Sequence, residues 1–317
     1  MSIALQTTDL ECSFPVGKRL IGPPRALLHA VRPTSLRVAT GQTLGIVGES
    51  GCGKSTLARM LVGLQPPSAG SIEIEGEALD RADPAKFGRR IQYVFQDPVS
   101  SLNPRKTIRQ ILEVPLIRLH GMGRAARAAR IDEIFAAVNL RPEFLDRYPH
   151  EFSGGQAQRI GIARALAAAA RILILDEPVS ALDVSVQAQV LNLLADLKAE
   201  FGLTYLFISH DLAVVEAVSD RIAVLYFGAV VEEGPAERVF AAPRHPYTQL
   251  LADSAPQLGR PLGGETAGEL PDPLNPPPGC AFAGRCPRAD AMCRRETPQL
   301  RQIEGDQRAA CHHPLDA

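Results

Sequence analysis

From Gly48 to Ser55 the chain reads "GESGCGKS". These eight residues fit G-x-x-x-x-G-K-[ST], and their context gives the pattern its meaning. The apolar run "TLGIVG" leads into the loop as a buried strand, and "KSTLARMLVGL" leaves it with helical spacing. Gly48, Gly51 and Gly53 let the backbone N–H groups of the loop, that of Ser50 included, converge on phosphate oxygens. The start of the following helix adds its dipole. Lys54 is then placed to bridge β- and γ-phosphates, with the Ser55 hydroxyl on Mg²⁺ and Thr56 beside it. A strand, a glycine-rich anion cradle and a helix in this order demand an α/β fold.

A second stretch completes the chemistry. "RILILDEP" is an apolar strand that delivers Asp176 to its C-terminal end, where a carboxylate can orient a Mg²⁺ shell. Glu177 stands next to it and can activate a water against the γ-phosphate. Two acids at a strand end would be unremarked solvated groups in most chains. Beside a phosphate loop they imply hydrolysis of a nucleoside triphosphate.

The remaining pattern alternates strands and helices. "IALQTTDLECSF" reads as a first strand, "SLRVATG" as a second, and "GSIEIEG" and "IQYVF" as two more. From Pro98 to Leu166 the spacing turns helical, most clearly in "RAARAARIDEIFAAVNL", so a helical subdomain (about 97–161) is inserted into the α/β core. "SVQAQVLNLLADLKAEFG" is an amphipathic helix ending at Gly202, "TYLFISH" a strand, and "RIAVLYFGAVVEEG" a hairpin. The core is expected over 1–255, followed by a Pro/Gly-rich linker and a four-cysteine domain over 256–317. A net charge of −1 carries no broad basic footprint for nucleic acid. No run of about 18 apolar residues spans a membrane, and the N-terminus lacks a secretory pattern, so a cytosolic location is expected.

Between the two catalytic stretches lies "EFSGGQAQRIGIARALA". Ser153, Gly154, Gly155 and Gln156 open a helix and form a second anion-binding terminus. One nucleotide needs one such cradle, so this one is expected to serve a neighbouring molecule's nucleotide. At this point the chain resembles the ATP-binding-cassette ATPases of membrane transporters, over essentially its whole length. The resemblance implies that Gln96 of "YVFQDP" contacts Mg²⁺ and senses the γ-phosphate. It implies that Asp183, closing "SALD", crosses a dimer interface. His210 of "FISHD" matches the switch histidine that holds the γ-phosphate, and Phe14 stands where an aromatic ring stacks on adenine. Ala157 departs from the pattern, since an Arg is common after the Gln, and a modest effect at the interface is expected.

"GESGCGKSTLAR", "FQDPVSSLNPR", "HEFSGGQ" and "HPYTQLL" resemble the dipeptide and oligopeptide importer branch, and "SSLNPR" and "GIARAL" its second ATPase subunit. The partners implied are a sibling ATPase, two transmembrane permeases and a periplasmic or extracellular peptide-binding protein. The expected place is peripheral, on the cytoplasmic face of the cell membrane, with the helical insertion from Asp97 to Glu151 docked on the permeases. Related importers carry nickel, opines or glutathione, so cargo stays open. A soluble cassette acting on nucleic acid would carry long coiled coils or a second cassette. A nucleotide kinase would have no use for the signature or for His210.

Cys280, Cys286, Cys293 and Cys311 crowd the tail, separated by five, six and seventeen residues, while Cys12 and Cys52 serve the rest of the chain. A reducing compartment disfavours disulfides. Four thiolates on a loop-rich tail with little core of its own suit a metal that supplies folding energy. Zinc prefers closer cysteine pairs, although His312 or His313 could replace one cysteine. A [4Fe–4S] cluster also takes four thiolates and is less tied to close pairs, although this spacing departs from the compact ferredoxin run; "GCAFAGRCP" resembles the C-terminal extension of peptide-importer ATPases. Cluster, zinc and no metal all remain open, with the cluster favoured and Cys12 and Cys52 left free.

Overall fold

The computed structural model describes residues 2–17, 26–254 and 270–316, so the linker stretch 255–269 lies outside the described residues. The fold is mixed α/β, in two compact units. The first comprises Met1–Leu5, Val38–Gln42 and Glu73–Phe207; the second comprises Gln6–Arg37, Thr43–Ile72 and Ile208–Ala317. No helix among the described residues is long and apolar enough to cross a membrane.

In the first unit the strands Ile91–Val94, Ile172–Asp176 and Thr204–Ile208 lie side by side. Ile91–Val94 runs parallel to Ile172–Leu175, pairing Ile91 with Ile172 and Val94 with Leu175. Every residue of "ILILD" and "TYLFI" is buried, which is why both read as unbroken apolar runs instead of alternating ones. Helix Val184–Phe201 buries Val190, Leu193, Leu194 and Leu197, one stripe at helical spacing, and stops at Gly202 with φ of 63°. The helical segment holds Ile108–Arg118, Arg124–Ala137 and Gly154–Ala167. The first of these starts in a reciprocal Thr107–Gln110 capping box.

In the second unit the fully buried strand Thr43–Val47 runs parallel to Arg221–Tyr226, pairing Leu44 with Arg221 and Val47 with Val224. Arg221–Tyr226 folds back on Ala229–Pro235 through Phe227 and Gly228, both at positive φ, as a two-residue hairpin turn requires. Ile3–Val16, lying mostly in this unit, pairs antiparallel with Ala26–Thr34 and sets Phe14 opposite Leu28. Ala26–Thr34 is a strand the sequence pattern does not announce: Ala26–Ala30 alternates only between half-buried and exposed, and Val31 and Thr34 alone are buried.

The loop-rich tail adds two short strands to the sheet. Gln307–Ala309 pairs with Ala229–Pro235, setting Ala309 opposite Glu232, and Arg301–Glu304 pairs with Gln307–Ala309 in turn. Phe282 is 2% exposed and packs on Tyr226 and Tyr247 at centroid separations of 5.3 and 5.5 Å. Such pairs add about 0.5–1.5 kcal/mol each beyond the area they bury. The tail therefore shares the core of the strands before it.

Candidate nucleotide site and cysteine centre

Strand Thr43–Val47 ends at Gly48, where an added Cβ would stand 2.2 Å from Leu225 O. At Gly53 the constraint is double: φ is 104°, and a Cβ would meet Ala30 O at 2.2 Å. Both contacts are with backbone and cannot yield. Helix Lys54–Leu61 begins there with no side-chain cap and no acid in its first turn, so its N-terminus keeps its positive character. Lys54 is buried, and its Nζ donates to Gly48 O at 2.6 Å and Glu49 O at 3.0 Å, which holds the ammonium over the loop. Ser55 and Thr56 follow half-buried, Ser50 and Gly51 are exposed, and Phe14 is half-buried on its strand. His210 is exposed. The residue before it, Ser209, donates its N–H to Ile46 O at 3.2 Å, tying the histidine's turn to the strand that carries the loop. Asp211 caps the next helix through Ala213 N and Val214 N.

The other candidate residues belong to the first unit. The parallel register of Ile91–Val94 and Ile172–Leu175 puts Gln96 and Glu177 each two residues past a paired position. Gln96 Nε2 donates to Glu177 Oε2 at 3.0 Å accordingly. Asp176 is 4% exposed and accepts a short hydrogen bond from the Tyr93 hydroxyl. Tyr93 is a participant that the sequence alone did not single out. Its position in the strand beside Asp176 was the available signal. Glu177 has φ of 48°, a strained value for a residue with a side chain, as occurs where function dictates orientation.

The signature helix Gly154–Ala167 is capped from within. Ser153 Oγ accepts from Gln156 N at 3.4 Å, and Gln156 Oε1 accepts from Ser153 N at 3.1 Å. A Cβ on Gly155 would stand 2.4 Å from Val186 Cγ1, so this glycine is required by packing. Ala157, next in the helix, is fully buried. Asp183 caps helix Val184–Phe201, accepting from Val186 N at 3.0 Å and Ser185 Oγ at 2.8 Å. Those bonds, the backbone one foremost, hold its carboxyl below the usual range.

Cys280, Cys286, Cys293 and Cys311 line one small cavity, together with His245, His312 and His313. Burial, reinforced by the neighbouring thiols, pushes Cys311 up to about 11 and also raises Cys280. Among the described residues, the group with three ligand atoms within 4.8 Å of one another is Asp290, Cys293 and His313, and no three of the four sulfurs meet that limit. The Asp290 group has a simpler account: Asp290 caps helix Ala291–Arg295 through Cys293 N and pairs with His313. His245 is buried, its Nδ1 accepts from Tyr247 N at 3.0 Å, and its Nε2 finds no protein partner. Burial lowers its pKa to about 3, so it stays neutral with Nε2 protonated. Cys12 and Cys52 are buried free thiols raised by desolvation.

Sequence reasoning also passed over Glu232. It is fully buried and accepts from Arg244 N and His245 N, each at 2.8 Å, and from Gln307 Nε2 at 2.6 Å. That carboxylate joins the "HPY" turn to the tail.

Residues 31–180 match the family described as ABC transporter, and residues 231–293 match the oligopeptide/dipeptide transporter, C-terminal region. A putative peptide import ATP-binding protein of Brucella abortus (strain 2308) is 50% identical, covering 97% of this chain and 93% of its own length. The dipeptide transport ATP-binding protein DppF of Escherichia coli (strain K12) is 49% identical with the same coverage. Among solved structures, cbiO1 from Clostridium perfringens, part of the ABC transporter complex cbiONQ, aligns with a TM-score of 0.65. It is 26% identical and covers 76% of this chain and 92% of its own. The dimeric ATP-binding cassette MJ0796, in a post-hydrolysis state bound to ADP and Pi, also gives 0.65, at 30% identity over 73% of this chain and 98% of that one.

Proposed function

The chain belongs to the ABC transporter family, and from that membership we propose that it is the ATP-hydrolysing subunit of an importer for dipeptides and oligopeptides. One observation carries the cargo class: near-full-length similarity to peptide import ATP-binding proteins, with a tail of the oligopeptide/dipeptide type. In this proposal Phe14 stacks on adenine, while the loop amides from Gly48 to Gly53 and the Lys54 ammonium hold the phosphates. Ser55, Gln96 and Asp176 are oxygen donors of the kind Mg²⁺ takes, and Tyr93 orients Asp176. Bound Mg²⁺ neutralises charge on the β- and γ-oxygens. Glu177 takes the proton of the attacking water, Gln96 holds that carboxylate, and His210 holds the γ-phosphate.

A partner ATPase supplies the facing signature, so that Ser153–Gln156 of each chain meets the nucleotide of the other and Asp183 crosses between them. The sibling subunit is that partner in the cell. Two permeases receive the helical insertion on the cytoplasmic face, and an external peptide-binding protein selects cargo. Val114 and Ile117, three residues apart on helix Ile108–Arg118 and each 43% exposed, support such docking. Uptake by proteoliposomes holding the permeases, the sibling and this chain, with the external binding protein added, tests the proposal. Dipeptides and oligopeptides should compete for uptake, whereas competition only by nickel, an opine or glutathione would reject peptide cargo.

We further propose that Cys280, Cys286, Cys293 and Cys311, which line one cavity, hold a [4Fe–4S] cluster, with zinc as the alternative. The cluster would brace the tail, and His245 Nε2–H is a buried donor on the same cavity. Protein purified without oxygen should be brown, absorb at about 400 nm and bleach with dithionite. A colourless sample with stoichiometric zinc and no iron decides for zinc.

A further inference from the structure

The phosphate loop and the cysteine tail share a contact that neither motif explains. Arg285 stands in the tail between Cys280 and Cys286. Its Nη1 and Nη2 donate to Glu49 Oε2 and Oε1, both at 2.9 Å, the two-pronged geometry in which guanidinium and carboxylate bind best. The pair is sheltered, with 9% of the Arg285 side chain and 28% of the Glu49 side chain exposed. The guanidinium also lies over the rings of Tyr226 and Phe282, at 5.9 and 5.7 Å.

Glu49 is the second residue of the phosphate loop, and its backbone is held as firmly as its side chain. Its N–H donates to the Tyr247 hydroxyl at 2.9 Å, and its carbonyl accepts from Lys54 Nζ at 3.0 Å. A loop containing Gly48, Gly51 and Gly53 has wide conformational freedom when unrestrained. Its amides can surround a phosphate only if that freedom is removed beforehand. Arg285 restrains the loop from a point 236 residues away in sequence.

We propose that Arg285 is a positioning residue for ATP binding: it holds Glu49, and through Glu49 the backbone groups around Lys54, so that the tail helps to set ATP affinity. The proposal rests on ATP binding at this loop, which wild-type titration tests separately. Arg285 acts through the loop, so its loss weakens binding and spares turnover at saturating ATP.

The test titrates a fluorescent ATP analogue into the full chain and into Arg285→Ala, Glu49→Ala and the double variant. Each single change should weaken binding about tenfold, and the double should be no weaker than either single, since both remove one interaction. Turnover at saturating ATP in the assembled transporter should stay within about twofold for Arg285→Ala. Affinities within about twofold of wild type, with only the melting temperature lowered, would show a mere brace and overturn the proposal. So would losses that multiply to about a hundredfold in the double variant. If Arg285→Ala does not fold, Glu49→Gln, which leaves the tail untouched, decides by the same affinity criterion.

Discussion

Two helices in this protein begin at glycine-rich turns, and they do so for different reasons. At the phosphate loop Gly53 has a left-handed backbone pressed against Ala30 O, and its helix starts without a side-chain cap. At the signature, Ser153 and Gln156 cap the helix reciprocally, and Gly155 is small because Val186 lies against it. The first turn is arranged for a ligand: strained backbone, uncapped amides and a buried lysine over its carbonyls. The second is already satisfied in part by its own side chains. This fits a turn that touches nucleotide only when a partner brings it. The same residue type thus serves backbone conformation in one place and helix packing in the other.

The largest expected effect separates turnover from both turns. Glu177→Gln should lower hydrolysis in the assembled transporter by about 10²–10⁴-fold. ATP affinity should be unchanged and the ATP-bound dimer should accumulate. Wild-type turnover by this variant would remove Glu177 as the base.

Gly53→Ala comes next. Its Cβ meets a backbone carbonyl at 2.2 Å in a conformation that side chains disfavour. A loss of about 3 kcal/mol in denaturant unfolding, or a loop that no longer binds ATP, is expected. Normal binding and stability would mean the turn relaxes and the comparison fails.

Gly155→Ala should cost less, about 1–3 kcal/mol, because the obstacle is a side chain 2.4 Å away. Val186→Ala should restore stability in the double variant. Failure of that rescue would point to a role for Gly155 beyond packing.

Ser153→Ala has the smallest effect, about 1 kcal/mol from the lost cap, read from the midpoint of denaturation. Its consequence for ATP-driven dimerisation should exceed its consequence for the isolated fold. The reverse outcome would make the serine a cap and nothing more.

Much of the nucleotide machinery was legible because its signals are local. Gly48–Ser55, "ILILD" and Ser153–Gln156 each combine a residue pattern with a strand or helix boundary that the pattern itself implies. Ala26–Thr34 was not legible, since its alternation is weak and it contains Pro33. The strands of the tail were hidden by length: four and three residues carry almost no periodicity, and their stability comes from pairing with Ala229–Pro235.

The sequence by itself determined the α/β class, the phosphate loop, the Asp176–Glu177 pair and the cysteine set, since each depends on neighbours within a few residues. Only the tertiary structure decided that Gln96 reaches Glu177, that Glu232 ties the "HPY" turn to Gln307, and that Arg285 grips Glu49. The physical reason is distance along the chain. A charge or hydrogen-bonding group shows its type in sequence, but its partner is selected by strand register and core packing. Those depend on contacts made tens to hundreds of residues apart.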